Sequence, residues 1–417
     1  MSKYKIYGGN SLFGKINVAT SKNATLPILA GAILCEKEVV LNNLPKFSDI
    51  ENMERILEHL GCEINKSQNK TIINTENLNT YFIPNILTKG IRSSIFMLGP
   101  MLAKFKKAKI SFPGGCNIGN RPIDLHLKGL RALNCQIIEE HGYLDCDGTN
   151  MKPADIHLDF PSVGATENIM MAAVNIVGRT RIFNAAREPE IVDLQNFLNK
   201  MGAKISGAGN GIIVIEGVKT FARFVEYTPI SDRIIAGTYL LAGIICGGDV
   251  EICNINPDHI YSLISKLKNS ACNLDIKNDK IKLKVNSKIS KIDVETNPYP
   301  GFPTDLQPQL ISALSVANGT SVVKENLFET RFKHIPELIK MGAKITVKDK
   351  LAIINGVDEL SGAEVCATDL RAGAALVLAG LNAKGYTIVD EIHHINRGYE
   401  NLMQELNSLN ANITLIE

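Results

Sequence analysis

The nine cysteines of this 417-residue chain include no CxxC pair, and neither they nor the eight histidines fall at metal-ligand spacing. An odd number of thiols without such pairs reads as reduced cysteines in a cytoplasmic protein, not as a disulfide scaffold or a metal centre. No signal pattern opens the chain, and its apolar runs are short and interrupted by glycine or polar residues, so no membrane insertion is expected. A net charge of +2 lacks the one-sided excess of a nucleic-acid or membrane surface. Gly207-Ala208-Gly209-Asn210-Gly211 has the composition of a phosphate loop but falls between two strands, so it reads as a hairpin turn. No cofactor site is expected. What is present is 45% apolar residues, enough for two cores.

An internal repeat organises those residues. Leu60-Gly61-Cys62-Glu63-Ile64 recurs as Leu133-Asn134-Cys135-Gln136-Ile137, then as Met201-Gly202-Ala203-Lys204-Ile205. It returns as Ala271-Cys272-Asn273-Leu274, Met341-Gly342-Ala343-Lys344-Ile345 and Asn410-Ala411-Asn412-Ile413. The intervals are 73, 68, 69, 71 and 68 residues, so six units fill the chain. A position that accepts Cys or Ala is a small packing site, which marks Cys62, Cys135 and Cys272 as structural; Cys35 and Cys246 end apolar helical runs and read the same way.

Each unit reads as βαβαββ. Its first helix is apolar nearly all round (Ala24 to Leu34, Ser93 to Ala103, Glu167 to Val177, Arg371 to Leu381) and must be buried. Its second is amphipathic, as in Asp49 to Leu60 and Glu190 to Met201. The last unit lacks its closing strand, and the N-terminal segment around Tyr4 to Tyr7 can supply it. Two α/β domains of three units each follow: residues 22–230, and residues 1–21 with 231–417.

Just before each buried helix lies a short polar segment: Ser21-Lys22-Asn23, Gly90-Ile91-Arg92, Ser162-Val163-Gly164, Ser231-Asp232-Arg233, Thr304-Asp305 and Thr368-Asp369-Leu370-Arg371. Ser162 and Thr304 suit ordinary N-caps. Lys22, Arg92 and Arg371 do not; a cation at a helix N-terminus is unfavourable unless an anion compensates, and these positions suit phosphate or carboxylate. One further loop stands apart, Pro113-Gly114-Gly115-Cys116-Asn117-Ile118-Gly119-Asn120-Arg121-Pro122. It places a thiol among polar residues, with Arg121 as a fixed cation able to lower a nearby thiol pKa.

With Ser162-Val163-Gly164-Ala165-Thr166, Arg187-Glu188-Pro189-Glu190, Phe302-Pro303-Thr304-Asp305, Ala367-Thr368-Asp369-Leu370-Arg371 and Asn396-Arg397-Gly398-Tyr399-Glu400, these segments resemble the enolpyruvyl transferase family over essentially the full length. Within it they are similar to the branch acting on UDP-N-acetylglucosamine; the shikimate branch lacks the cysteine-bearing loop. The resemblance implies a two-domain inside-out α/β barrel. It also implies transfer of the enolpyruvyl group of phosphoenolpyruvate to the 3′-hydroxyl of UDP-N-acetylglucosamine, with release of phosphate through a tetrahedral ketal, as the first committed step of peptidoglycan synthesis. In that reading Cys116 is the acid, holds phosphoenolpyruvate covalently and is the target of fosfomycin-type epoxides, and Asp305 is the base. Lys22, Arg121 and Arg397 clamp the anionic groups, beside Arg92, Arg331, Asp369 and Arg371. Lys22, Asn23, Arg92, Arg121, Pro122, Ile123, Asp124, Leu125, Ser162, Val163, Asp305 and Leu327 hold the sugar nucleotide. Phe160 replaces a lysine, and Thr330 an asparagine, of the family pattern. A UDP-sugar-sensing paralogue without turnover would have lost Cys116, Asp305 or Arg397, and all three are present.

Overall fold

The computed structural model describes residues 2–114, 123–270 and 272–417. They form two compact units, one within 20–230 and the other from 2–19 together with Ser231–Glu417. Each unit holds three four-stranded mixed sheets, and all six share one strand order. The leading strand pairs parallel with the strand after the first helix, which pairs antiparallel with the last strand, which pairs antiparallel with the third. Phe82–Ile83, Lys107–Ser111, Tyr143–Asp147 and Gln136–Glu140 illustrate it.

Three sheets are contiguous in the chain and three are not. Lys3–Tyr7 closes the sheet of the last repeat, between Tyr386–Asp390 and Asn412–Ile416. The other two exceptions exchange leading strands. Leu12–Asn17 runs into the first buried helix yet pairs parallel with Gly248–Cys253. Phe224–Tyr227 runs into the fourth yet pairs parallel with Glu38–Asn42. The contiguous βαβ reading therefore fails for those two repeats, because the chain leaves each unit between the leading strand and the helix. Both crossings are tied down within their own unit, by Ser21 N donating to Ile230 O at 2.7 Å and Asp232 N to Ala19 O at 2.9 Å.

The buried first helices are α1 (Lys22–Ala32), α2 (Leu98–Phe105, continuing a 3₁₀ turn Arg92–Met97), α3 (Val163–Ala173), α4 (Arg233–Cys246), α5 (Gln307–Leu314, after a 3₁₀ turn Thr304–Leu306) and α6 (Leu370–Asn382). Every residue from Arg233 to Ile245 and from Arg371 to Leu381 is buried. A helix with no polar stripe has no face to offer water, so the sheets and amphipathic helices wrap around these elements. Small residues let the helices approach: Gly99 N donates to Asn168 Oδ1 at 2.8 Å, and a Cβ at Gly99 would lie 2.3 Å from Asn168 O.

Candidate active site

In the unit spanning 20–230, Ser21 caps α1, its Oγ accepting from Ala24 N at 3.3 Å. That puts Lys22 in the first turn, where the helix field disfavours a cation. The compensating anion is Asp49, whose Oδ2 lies 2.6 Å from Lys22 Nζ with both side chains nearly buried. The sequence argument from an uncompensated cation is thus corrected, because the protein itself supplies the counter-charge. Asp49, which the sequence offered only as the start of an amphipathic helix, belongs with Lys22. Asn23 and Arg92 are half-buried at the starts of α1 and of the 3₁₀ turn before α2.

Ser162 caps α3 in the same way, accepting from Ala165 N at 3.3 Å. Its Oγ therefore has the ordinary capping role, and Val163 and Gly164 form the half-buried start of the helix. Gly164 lies against His126, whose Cε1 would be 2.9 Å from an added Cβ. Asn168 Nδ2, on the next turns of α3, donates to His126 Nδ1 at 2.7 Å and to Ile95 O at 2.8 Å. Sequence reasoning passed over His126 and Asn168, because neither stands in a polar segment before a helix. Ile123, Asp124 and Leu125 begin the amphipathic helix Asp124–Ala132. Cys116, Arg121 and Pro122 lie outside the described residues. The backbone just before them is tightly packed: Gly114 N donates to Thr88 O at 3.1 Å, and a Cβ there would stand 1.9 Å from Lys89 O.

The other unit concentrates charge. Asp305 Oδ1 accepts from Arg331 Nη2 at 2.8 Å and Oδ2 from Arg371 Nη2 at 3.0 Å. Both guanidiniums are almost fully buried, while Asp305 keeps 27% of its side chain exposed. The chain therefore presents one oriented, reachable carboxylate on a buried cationic base. Asp369 caps α6, accepting from Arg371 N at 2.9 Å and Ala372 N at 3.2 Å, and lies 3.8 Å from Arg331 Nη1. Asp232 caps α4, accepting from Ile234 N at 2.8 Å and Ile235 N at 3.0 Å. Burial alone would push Arg371 toward neutrality, but Asp305, Tyr399 and Asp232 outweigh it and raise its pKa. Arg371 Nη1 also reaches Tyr399 Oη at 3.4 Å, and that hydroxyl contacts Thr238 Oγ1 at 2.8 Å. So the segments before α4, α5 and α6 meet around Arg371, drawing together Asp232, Asp305 and Asp369. Arg397 is half-buried at the end of a 3₁₀ turn, Ile392–Arg397. The same turn and the residue before it bring Glu391, His393 and His394 close, with His393 Nδ1 at 3.2 Å from Glu391 Oε2. Leu327 is held by a turn that the carboxylate of Glu325 closes, accepting from Leu327 N at 2.9 Å.

Burial pushes up the thiols of Cys35, Cys62, Cys246 and Cys272, those of Cys62 and Cys246 to about 12, which removes them as nucleophiles or neutral-pH acids. Cys366 is exposed, yet partial burial with Glu337 and Glu391 nearby raises its thiol too.

The sequence model of the family described as EPSP synthase (3-phosphoshikimate 1-carboxyvinyltransferase) matches residues 6–406. The chain belongs to this enolpyruvyl transferase family. It is 51% identical, over 417 residues and the whole of both chains, to UDP-N-acetylglucosamine 1-carboxyvinyltransferase 2 of Caldanaerobacter subterraneus subsp. tengcongensis. It is 48% identical over 422 residues to UDP-N-acetylglucosamine 1-carboxyvinyltransferase 1 of Clostridium perfringens, again across all of both chains. Among solved structures, the enolpyruvyl transferase NikO from Streptomyces tendae superposes with a TM-score of 0.90 at 23% identity, covering 99% of this chain and 98% of that one. EPSP synthase from Acinetobacter baumannii gives 0.77 at 18% identity over the whole of both chains. The enolpyruvyl transferase fold is therefore established, and it is the α/β architecture expected from the repeats.

Proposed function

We propose that this chain is a cytoplasmic enzyme that transfers the enolpyruvyl group of phosphoenolpyruvate to the 3′-hydroxyl of UDP-N-acetylglucosamine, releasing phosphate, in the first committed step of peptidoglycan synthesis. The observation that carries the reading is identity along the entire chain to relatives named for that reaction, with Cys116, Lys22, Asp305 and Arg397 all present in this sequence.

Addition and elimination need a proton for the methylene carbon, a base for the sugar hydroxyl and cations for phosphate and carboxylate. Cys116 delivers the proton to the methylene, while Asp305 accepts the hydroxyl proton as the sugar oxygen bonds to C2. The resulting ketal collapses as the thiolate left on Cys116 takes back a proton from the new methyl group and phosphate is expelled, which restores both the double bond and the thiol. Asp305 suits its part because two buried guanidiniums fix its carboxylate without covering it. Lys22, Arg121 and Arg397 hold the anionic groups, with Arg92, Arg331 and Arg371 beside them and Asp369 orienting Arg331. Asp49 already pairs with Lys22, so an incoming anion shares that ammonium with the Asp49 carboxylate. Asn23, Ile123 to Leu125, Ser162, Val163 and Leu327 contact the sugar nucleotide. The reaction as written balances without a metal or redox cofactor.

The test is phosphate release from phosphoenolpyruvate with UDP-N-acetylglucosamine or shikimate 3-phosphate as acceptor. Release with the sugar nucleotide alone is expected. Release with shikimate 3-phosphate alone would place the chain in the other branch of its family, and release with neither would favour a UDP-sugar-binding paralogue.

A further inference from the structure

Glu325 belongs to none of the polar segments that precede the buried helices, yet its carboxylate accepts four hydrogen bonds. It is 2% exposed. Oε1 accepts from Thr296 Oγ1 at 2.9 Å, Leu327 N at 2.9 Å and Phe328 N at 3.1 Å, and Oε2 accepts from Thr304 Oγ1 at 2.9 Å. These four donors belong to three chain segments: the end of strand Val294–Glu295, the 3₁₀ turn carrying Asp305, and the turn carrying Leu327 and Arg331. Thr304 is consequently held at both ends, its hydroxyl by Glu325 and its carbonyl by Arg331 Nε and Nη2, each at 3.3 Å. Asp305 follows directly in the chain.

We propose that Glu325 is a positioning residue that fixes Asp305 and the Leu327 turn for the sugar nucleotide, acting through the hydroxyl of Thr304. This carboxylate takes three of its four donors on Oε1 and one on Oε2, and such charge-assisted bonds are stronger than those to a neutral acceptor. Replacing it with an amide of the same shape turns one acceptor oxygen into a donor that faces other donors. Either the bonds to Leu327 N and Phe328 N are lost, or the amide NH2 turns to Thr304, whose hydroxyl must stop donating to a carboxylate and accept a weaker, uncharged bond instead. Either change frees one of the two sugar-side elements to shift, and displacement of about 1 Å at a reacting group costs on the order of 10²-fold in rate. Lys22 and Arg397, which clamp phosphoenolpyruvate, are on other segments and stay in place, and Arg331, which shares the Leu327 turn, remains held by Asp305 and Thr304 O.

The inference rests on Asp305 being the base, and the experiment separates the two claims. Glu325→Gln, Thr304→Val, their double variant, Glu325→Asp and Asp305→Asn are compared in steady-state phosphate release. Glu325→Gln is expected to lower kcat roughly 10- to 100-fold and to raise KM for UDP-N-acetylglucosamine, with KM for phosphoenolpyruvate unchanged. Thr304→Val should reproduce the fall in kcat, the double variant should be no worse than Glu325→Gln, and Glu325→Asp should recover part of the rate. Equal increases in both KM values, or additive losses in the double variant, overturn the positioning role. Wild-type turnover by Asp305→Asn overturns instead the reading of Asp305. Thermal melting of each variant identifies loss of fold, and Thr304→Val, which keeps size and removes one hydroxyl, supplies the answer if Glu325→Gln does not fold.

Discussion

The two units share one strand order, six times over, and differ in how they begin their buried helices. In the unit spanning 20–230 the caps of α1 and α3 are neutral serines, Ser21 and Ser162. In the other unit the caps of α4 and α6 are aspartates, Asp232 and Asp369. A neutral cap satisfies the free N–H groups but leaves the positive end of the helix dipole unbalanced, which suits an anionic ligand. An aspartate cap brings a full negative charge into the fold, and that charge supports the buried Arg331 and Arg371 which orient Asp305. The same scaffold thus starts two buried helices with neutral caps in one unit and builds an internally balanced charge cluster holding one carboxylate in the other.

The distinction is broken most severely at the two acids. Asp305→Asn should lower turnover by about 10²- to 10⁴-fold, the usual range for a general base, in a phosphate-release assay. Asp49→Asn, at the corresponding ion pair of the other unit, should cost clearly less, since Asp49 holds Lys22 and does no chemistry. Equal losses would erase the difference in role.

Stability offers the next contrast. Arg371→Met removes one of the two guanidiniums that hold Asp305, and a cation that Asp232 interacts with. Loss of one partner from a buried pair costs about 3–5 kcal/mol, seen as a lower denaturation midpoint. A change within the range of surface substitutions would show the cluster to be solvated.

The pH response of the units should be opposite in sign. Burial lowers His334 from its ordinary 6.5 to about 4, against the opposing pull of Asp369. Its contribution is fully present above pH 6.5 and is lost, by about 3 kcal/mol, as pH falls toward 4. Burial raises Asp193 of the other unit from 3.8 to about 6, despite hydrogen bonds from Tyr227 and Ile230. That contribution is present below pH 3.8 and is lost, by a similar amount, as pH rises toward 6. Hydrogen exchange followed by mass spectrometry between pH 4 and 6 should show acid loosening peptides around His334 and tightening those around Asp193. His334→Asn and Asp193→Asn should each flatten only their own slope; parallel slopes in both units would contradict the assignments.

The smallest effect is at the caps. Ser162→Ala should cost about 1 kcal/mol of stability, whereas Asp369→Ala should cost more, because it also removes an anion from beside Arg331.

How far the sequence alone led follows from the same contrast. The six repeats were legible because Leu60-Gly61-Cys62 and its five echoes recur wherever a helix turns into a strand. The buried helices were legible because an all-round apolar segment has one place to go. The exchange of Leu12–Asn17 and Phe224–Tyr227 between sheets was not, since strand pairing at that distance leaves no local periodicity. Lys22, Asp305, Arg331, Asp369 and Arg371 could be named as site candidates, but not which of them pair, nor that Lys22 pairs with Asp49. Asp49, His334 and Glu325 act across folded distance, and in the sequence each looks like an ordinary polar residue on an amphipathic element or in a turn. Glu325 carried no such signal, because the side-chain turn two residues on is a habit of the shorter Asp, Asn, Ser and Thr, and only the fold shows its bond to Leu327 N.

The most direct measurement follows the carbon. Phosphoenolpyruvate isotopically labelled at C2 is turned over with UDP-N-acetylglucosamine and the products are read by carbon NMR. The label should appear in a vinyl ether on the 3′-oxygen of the sugar, one equivalent for each phosphate released. Label recovered as pyruvate, or left in phosphoenolpyruvate while shikimate 3-phosphate is accepted in a parallel reaction, would contradict the account.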